Sequence, residues 1–224
     1  MARFDRLTVY NTMRSIGIVP VFYHKDPEIG MQVIKACYAG GARIFEFTNR
    51  GDFAYEVFME LNKYIIRELP DMILGVGSVI DGPTTALYIQ AGTNFVVSPA
   101  LKEDMALVCN RRKIAWIPGC GSVNEISRAE ELGAEIVKIF PAGQIGGPAF
   151  IKNMRGPCPW TSIMPTGGVE PTEENLKAWF EAGASCVGMG SKLMVKDGSG
   201  KYDLKGIEEK TRDSIRFATK YIKS

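Results

Sequence analysis

Three charged residues stand in runs that are otherwise largely apolar, and their types define a chemistry. Lys138 lies in Glu135-Ile-Val-Lys-Ile-Phe140, and Glu46 and Arg50 lie in Arg43-Ile-Phe-Glu-Phe-Thr-Asn-Arg50. A lysine held out of water more readily presents a neutral amine, which can attack a carbonyl carbon. A nearby carboxylate can move protons while a carbinolamine forms, dehydrates and enters a carbon–carbon step. An arginine can hold a substrate carboxylate with two parallel hydrogen bonds. Together the three point to Schiff-base chemistry on a 2-oxo acid. The plain alternatives are a lysine that snorkels its ammonium to the rim and a glutamate paired only to neutralise buried charge. Strand alternation speaks against both. Lys138 shares a face with Ile136 and Phe140, and Glu46 shares one with Ile44, Thr48 and Arg50. Late in inward-facing barrel strands, both side chains project into the mouth, where catalytic groups collect.

The elements that must position them come from a repeat. A helix-like stretch, a glycine with a small neighbour and a short β-branched run recur at residues 38–48, 90–99, 131–141 and 181–190. The glycine suits a helix C′ position with positive φ, and the run after it reads as a buried parallel strand. Four further apolar runs lie between them, at 16–23, 72–79, 113–118 and 162–166. Eight strand candidates at a spacing of roughly 25 residues keep the tempo of successive βα units. Helical periodicity fills the gaps: Phe58, Leu61, Ile65 and Leu69 make one stripe within residues 55–69. The prediction is an α/β fold, a (β/α)8 TIM barrel forming a single domain over residues 1–224. An extra N-terminal helix is expected over 1–14 and a closing helix over 207–223. A doubly wound sheet is the alternative, disfavoured by near-equal units and the lack of a dinucleotide fingerprint.

The last two strand candidates end in glycine-rich turns, Pro165-Thr-Gly-Gly-Val169 and Gly188-Met-Gly-Ser191. In barrels the loops after strands seven and eight commonly bind phosphate. Other features carry less. The lone His24 reads as a rim or solvated residue, and Arg111-Arg112-Lys113 as a solvated helix end. The charged residues of 192–224 read as the polar face of the terminal helix. Cys37, Cys109, Cys120, Cys158 and Cys186 show no C-x-x-C pair or metal-ligand spacing, so reduced thiols and no metal site are expected. With 46% hydrophobic and 23% charged residues, the chain is neither disordered nor fibrous, and a net charge of +2 gives no reason to expect nucleic acid or an acidic membrane. Residues 1–14 lack the apolar core of a signal peptide and no run approaches a membrane span, which predicts a cytoplasmic protein.

Several stretches in their order resemble the 2-keto-3-deoxy-6-phosphogluconate (KDPG) and 4-hydroxy-2-oxoglutarate (KHG) aldolase family. They are Gly17-Ile-Val-Pro-Val21, Glu46-Phe-Thr-Asn-Arg50, Gly75-Val-Gly-Ser-Val79, Val97-Ser-Pro99, Ile117-Pro-Gly119, Val137-Lys-Ile-Phe-Pro141, Pro165-Thr-Gly-Gly168 and Gly190-Ser-Lys-Leu193. The resemblance implies a homotrimer of (β/α)8 barrels, a class I aldolase that uses neither metal nor cofactor. Lys138 would form the Schiff base, and Glu46 would shuttle protons through water. Arg50 would bind the pyruvate carboxylate with help from Ser78, and Pro99, Phe140 and Thr166 would line the pyruvyl pocket. Gly167, Gly168, Gly190 and Ser191 would hold a phosphate. The implied reaction is reversible cleavage of a 4-hydroxy-2-oxo acid to pyruvate and an aldehyde, glyceraldehyde 3-phosphate first and glyoxylate second. Glu170, Met189 and Cys120-Gly-Ser122 depart from the family pattern, all of them outside the pyruvate half of the site. Glu170 is expected to serve the N-terminus of the next helix, ahead of Pro171 at N1. Two rivals remain: a sugar-phosphate isomerase or condensing barrel with Lys138 as a simple charge, and a non-catalytic trimeric scaffold. The desolvation cost of an inward lysine and glutamate counts against the scaffold.

Overall fold

The computed structural model describes residues 2–222. The side chain of Asp5 accepts a hydrogen bond from the Thr8 N–H and starts α1 (Arg6–Ile16). Strands and helices then alternate: β1 (Ile18–Phe22), α2 (Pro27–Ala39), β2 (Ile44–Thr48), α3 (Ala54–Glu68), β3 (Ile73–Gly77), α4 (Gly82–Gln90), β4 (Phe95–Val97) and α5 (Glu103–Arg112). The second half runs through β5 (Ala115–Ile117), β6 (Gly119–Cys120), α6 (Val123–Glu131), β7 (Val137–Ile139), α7 (Gly147–Arg155), β8 (Ile163–Pro165), α8 (Glu173–Ala182), β9 (Val187–Met189) and α9 (Leu204–Tyr221). The repeat glycines Gly41, Gly92, Gly133 and Gly183 all take positive φ, between 85° and 106°. Each turns the chain from a helix toward the next strand, a conformation that a side chain would strain.

All strand pairs are parallel, and they form two ladders, β5-β4-β3-β2-β1-β9 and β6-β7-β8. The fold is thus a parallel α/β, barrel-like sheet rather than the uninterrupted eight-stranded ring read from the repeat. Two prolines account for the seams. The run expected at 113–118 continues into β6 but is split at Pro118, which has no N–H to donate. At the other seam Ile163 faces β9, its carbonyl accepting from Ser185 N–H at 2.8 Å, while Thr166 N–H turns to β7 and donates to the Ile139 carbonyl at 3.0 Å. Alternation points Pro165 at β9, where the missing N–H removes a rung. A single bridge, Thr166 to Gly188, joins the strands there.

Buried side chains form two clusters that follow strand parity. Phe45, Phe47, Val137 and Ile139 pack outward with the helices. Ile44, Ile73, Phe95, Ile117, Ile136 and Met164 pack inside, together with Val9, Tyr10 and Met13 of α1. Helix α1 therefore plugs the end of the barrel opposite the strand C-termini. Its Tyr10 hydroxyl accepts from Trp116 N–H at 3.0 Å and donates to the Trp116 carbonyl at 3.1 Å. Tyr10→Phe should lower unfolding stability by about 1–3 kcal/mol, because it strands two buried backbone groups. Urea denaturation checks this, and an unchanged midpoint would contradict it.

Three expectations need correction. The stretch 192–203 is not helical; the last helix begins at Leu204, and the chain before it makes a short hairpin. Helix α8 begins at Glu173 with Thr172 as its cap, so Pro171 lies before the helix rather than at N1. The N-terminal helix starts at Arg6 instead of spanning 1–14, since Asp5 supplies the first cap. Residue 1 and residue 223 of the two expected terminal helices lie outside the described residues. Cys37, Cys109, Cys120 and Cys186 are buried, and burial pushes each thiol up to about 12. Among the described residues no helix is long and apolar enough to cross a membrane.

Candidate active site

The inward positions of β2 and β7 bring Glu46 and Lys138 together. Lys138 Nζ lies 4.0 Å from Glu46 Oε1, with the two residues 5% and 1% exposed. Glu46 Oε2 has no hydrogen-bond partner among the described residues, and neither do the buried hydroxyls of Thr48, Ser98 and Thr166. Buried polar groups usually have a partner, so these are free to accept or donate to a bound molecule. Burial pushes the Glu46 carboxyl above its ordinary value of 4.5, and the charges of Lys138 and Arg50 pull against that rise. The carboxylate fits because Gly77, at an inward position of β3, has no side chain: a Cβ there would collide with Glu46 Oε1. Gly75 makes the same room for the Phe95 ring. Gly77→Ala should cut turnover at least tenfold by displacing the Glu46 carboxylate, with its largest effect on kcat. Steady-state kinetics checks this, and wild-type kcat would contradict it.

Above this pair opens a cavity of about 750 Å³. Of the expected site residues, Arg50, Ser78, Phe140, Thr166, Gly167, Gly168, Gly190 and Ser191 form its wall. Lys138 and Glu46 are not wall residues themselves but neighbour two that are: Lys138 Nζ lies 5.0 Å from the centroid of the Phe140 ring, and the Arg50 charge acts on the Glu46 carboxyl. Pro99 stays off the wall; its carbonyl packs against Gly119, which is paired in register with Lys138. Ser78 takes a φ of 58°, an uncommon conformation for a residue with a side chain.

Several wall and support residues carry no signal in sequence periodicity. Tyr23, the residue after β1, lies on the cavity wall with its hydroxyl over the Cα of Gly51. Tyr88 of α4 donates its hydroxyl to Asn49 Oδ1 at 2.9 Å, so both chain neighbours of Arg50 are held by tyrosines. Asn175 of α8 braces the glycine turn: its Oδ1 accepts from Glu170 N–H at 2.9 Å and Trp179 Nε1 at 3.1 Å, and its amide donates to the Gly168 carbonyl. Glu170 does not serve the helix N-terminus, because Thr172 already caps it; its carboxylate instead pairs with Lys192 at 3.3 Å. His24 sits at the rim, stacked on Phe22, with Nδ1 accepting from Asp26 N–H at 3.0 Å.

An amine and a proton carrier within reach of one another, beneath a wall bearing an arginine, can form an imine with a carbonyl compound and break a bond beside it. That is the work of a class I aldolase, a carbon–carbon lyase. The family model for KDPG and KHG aldolase matches residues 9–209. The 2-dehydro-3-deoxy-phosphogluconate aldolase of Pseudoalteromonas atlantica is 38% identical over 155 residues, 69% of this chain and 70% of that protein. The KHG/KDPG aldolase of Escherichia coli is 30% identical over 90% of this chain and 92% of its own length. The crystal structure of KDPG aldolase from Legionella pneumophila, with pyruvate captured at low pH as a covalent carbinolamine, superposes with a TM-score of 0.80 at 26% identity, over 91% of this chain and 96% of that one. The chain belongs to the KDPG and KHG aldolase family.

Proposed function

We propose that Lys138 forms the Schiff base through which this aldolase cleaves a 4-hydroxy-2-oxo acid to pyruvate and an aldehyde. The observation that carries the reading is the buried Lys138–Glu46 pair under a cavity whose wall presents Arg50. Arg50, with Ser78, grips the substrate carboxylate and sets the C2 carbonyl above Lys138. The Lys138 amine adds to C2, and loss of water gives the iminium. Glu46, through water, takes the proton of the C4 hydroxyl. The C3–C4 bond then breaks, its electron pair passes into the iminium as an enamine, and the aldehyde leaves. Protonation at C3 and hydrolysis release pyruvate and restore the amine. The upward push on the Glu46 carboxyl suits this double duty, since a group that holds its proton more tightly can also return it. Phe140 and Thr166 flank the pyruvyl group, and Pro99 supports the floor from behind Gly119.

The distal wall favours a phosphorylated substrate. Gly167 and Gly168 both take positive φ, and a Cβ on Gly168 would meet the Cα of Gly143 at 2.9 Å, so the turn is built for close backbone approach. With Gly190 and Ser191 it offers N–H and hydroxyl donors to a phosphate. Pyruvate and glyceraldehyde 3-phosphate are therefore the first choice of products, pyruvate and glyoxylate the second. The two ladders act as one eight-unit barrel and one domain, closed through Pro118 and the Thr166–Gly188 bridge. We read the assembly as a cytoplasmic homotrimer; exposed Phe53 and Ile80, in the loops after β2 and β3, are apolar surface that another copy would cover.

A retro-aldol panel read by pyruvate release tests the substrate. Phosphorylated substrate should show the higher kcat/KM than its dephosphorylated counterpart. Equal values would remove the phosphate role of the glycine turns and Ser191.

A further inference from the structure

We infer that the hairpin between β9 and α9 is a substrate-specificity element, in which Lys196 completes the distal site as the cation that binds the phosphate-bearing end of the substrate. This deepens the reading above and rests on it. Lys196 and Tyr202 pair as an isolated antiparallel bridge, and both line the same cavity as Gly167, Gly168 and Ser191. The hairpin is docked rather than loose. The Tyr202 ring packs edge-on against Phe22 at 5.2 Å, where β1 ends, and against His24 at 6.0 Å. On that same ring rests the Lys196 ammonium, 4.9 Å from the centroid. An aromatic face orients a cation without neutralising it.

The acids nearby are committed elsewhere. Asp197 closes the hairpin turn by accepting from the backbone N–H groups of Ser199 and Lys201 and from the Ser199 hydroxyl. Asp203 caps α9 through Gly206 N–H. Glu170, the one carboxylate on the cavity wall among the described residues, is held by Lys192. Lys196 thus forms no ion pair among the described residues, and its charge faces the cavity uncompensated. A dianion entering beside Glu170 would be repelled by an unpaired carboxylate. Pairing Glu170 with Lys192 and supplying Lys196 from the hairpin make the distal wall net cationic, which selects a phosphate ester over its dephosphorylated counterpart.

The test is the ratio of kcat/KM for the phosphorylated substrate to that for its dephosphorylated counterpart. Lys196→Gln should lower this ratio by about tenfold, the scale of one hydrogen bond to a charged group, and Lys196→Arg should hold it near the wild-type value. Glu170→Gln should raise it, by freeing Lys192. An unchanged ratio in Lys196→Gln, or an equal fall in the Arg and Gln variants, would overturn the proposal. Borohydride trapping of pyruvate on each variant separates the two readings. A trapped adduct with an unchanged ratio rejects only the hairpin subsite, whereas a wild-type protein that traps no pyruvate rejects the Schiff-base reading beneath it.

Discussion

Lys138→Met should lower retro-aldol turnover by roughly 10⁴-fold or more, the loss expected when the group that forms the covalent intermediate is removed. The fall should appear in kcat for phosphorylated and unphosphorylated substrates alike, since the proposed imine forms on the half they share. Stability gives a second readout. Lys138 is the ion-pair partner of Glu46, and both are almost fully buried. Removing only the lysine leaves a buried carboxylate without its cation, and that single variant should be destabilised. The double variant Lys138→Met with Glu46→Gln should recover that loss and be as stable as the parent or more so, by up to about 4 kcal/mol. Denaturant midpoints check this. A double variant no more stable than Lys138→Met would mean that the pair is not a strain placed in the core for chemistry.

Glu46→Gln should reduce kcat by about 10²–10⁴-fold while leaving the protein able to form a trapped pyruvate adduct, because the amide keeps shape and loses only proton transfer. A variant with near wild-type kcat would show that another group carries the proton. The same substitution has a pH signature. The Glu46 carboxyl is raised above 4.5 chiefly by burial. Between that value and its native one, the folded protein holds the proton more tightly than the unfolded chain. Stability from this group is therefore full at pH below 4.5 and is lost as pH rises through the raised value. The glutamine variant lacks this dependence, so its melting temperature relative to wild type should climb as pH rises from below 4.5 toward neutrality. A flat difference would mean that the carboxyl is not raised in the folded state.

Much of this site is legible from alternation alone. A β-strand has a period of two, so Ile136 and Ile44 inside the barrel fix Lys138 and Glu46 inside as well, and the two buried clusters divide along that parity. The repeat glycines were readable for a related reason, since a helix that ends in the left-handed region calls for glycine wherever it recurs. The alternating Gly75 and Gly77 carried a signal too: small residues at inward positions beside an inward glutamate leave room for its carboxylate. What periodicity does not carry is the path of loops. The hairpin that turns Lys196 into the cavity depends on Tyr202 meeting Phe22, a contact across some 180 residues that leaves no local pattern. Helix-like charge spacing therefore misplaced residues 192–203. The role of Glu170 is not legible locally, because the helix starts on the Thr172 cap at Glu173, two residues beyond Pro171, and the carboxylate turns to Lys192 instead. The split at Pro118 follows from the single chemical fact that proline cannot donate to a ladder.

The central claim is that Lys138 makes the imine. It is tested most directly by incubating the protein with saturating pyruvate, reducing with borohydride and mapping the modified peptide. A reduced pyruvate adduct on Lys138, absent from Lys138→Met and accompanied by loss of activity, is the result expected. An unmodified Lys138, or an adduct on any other lysine with activity lost in step, would contradict it.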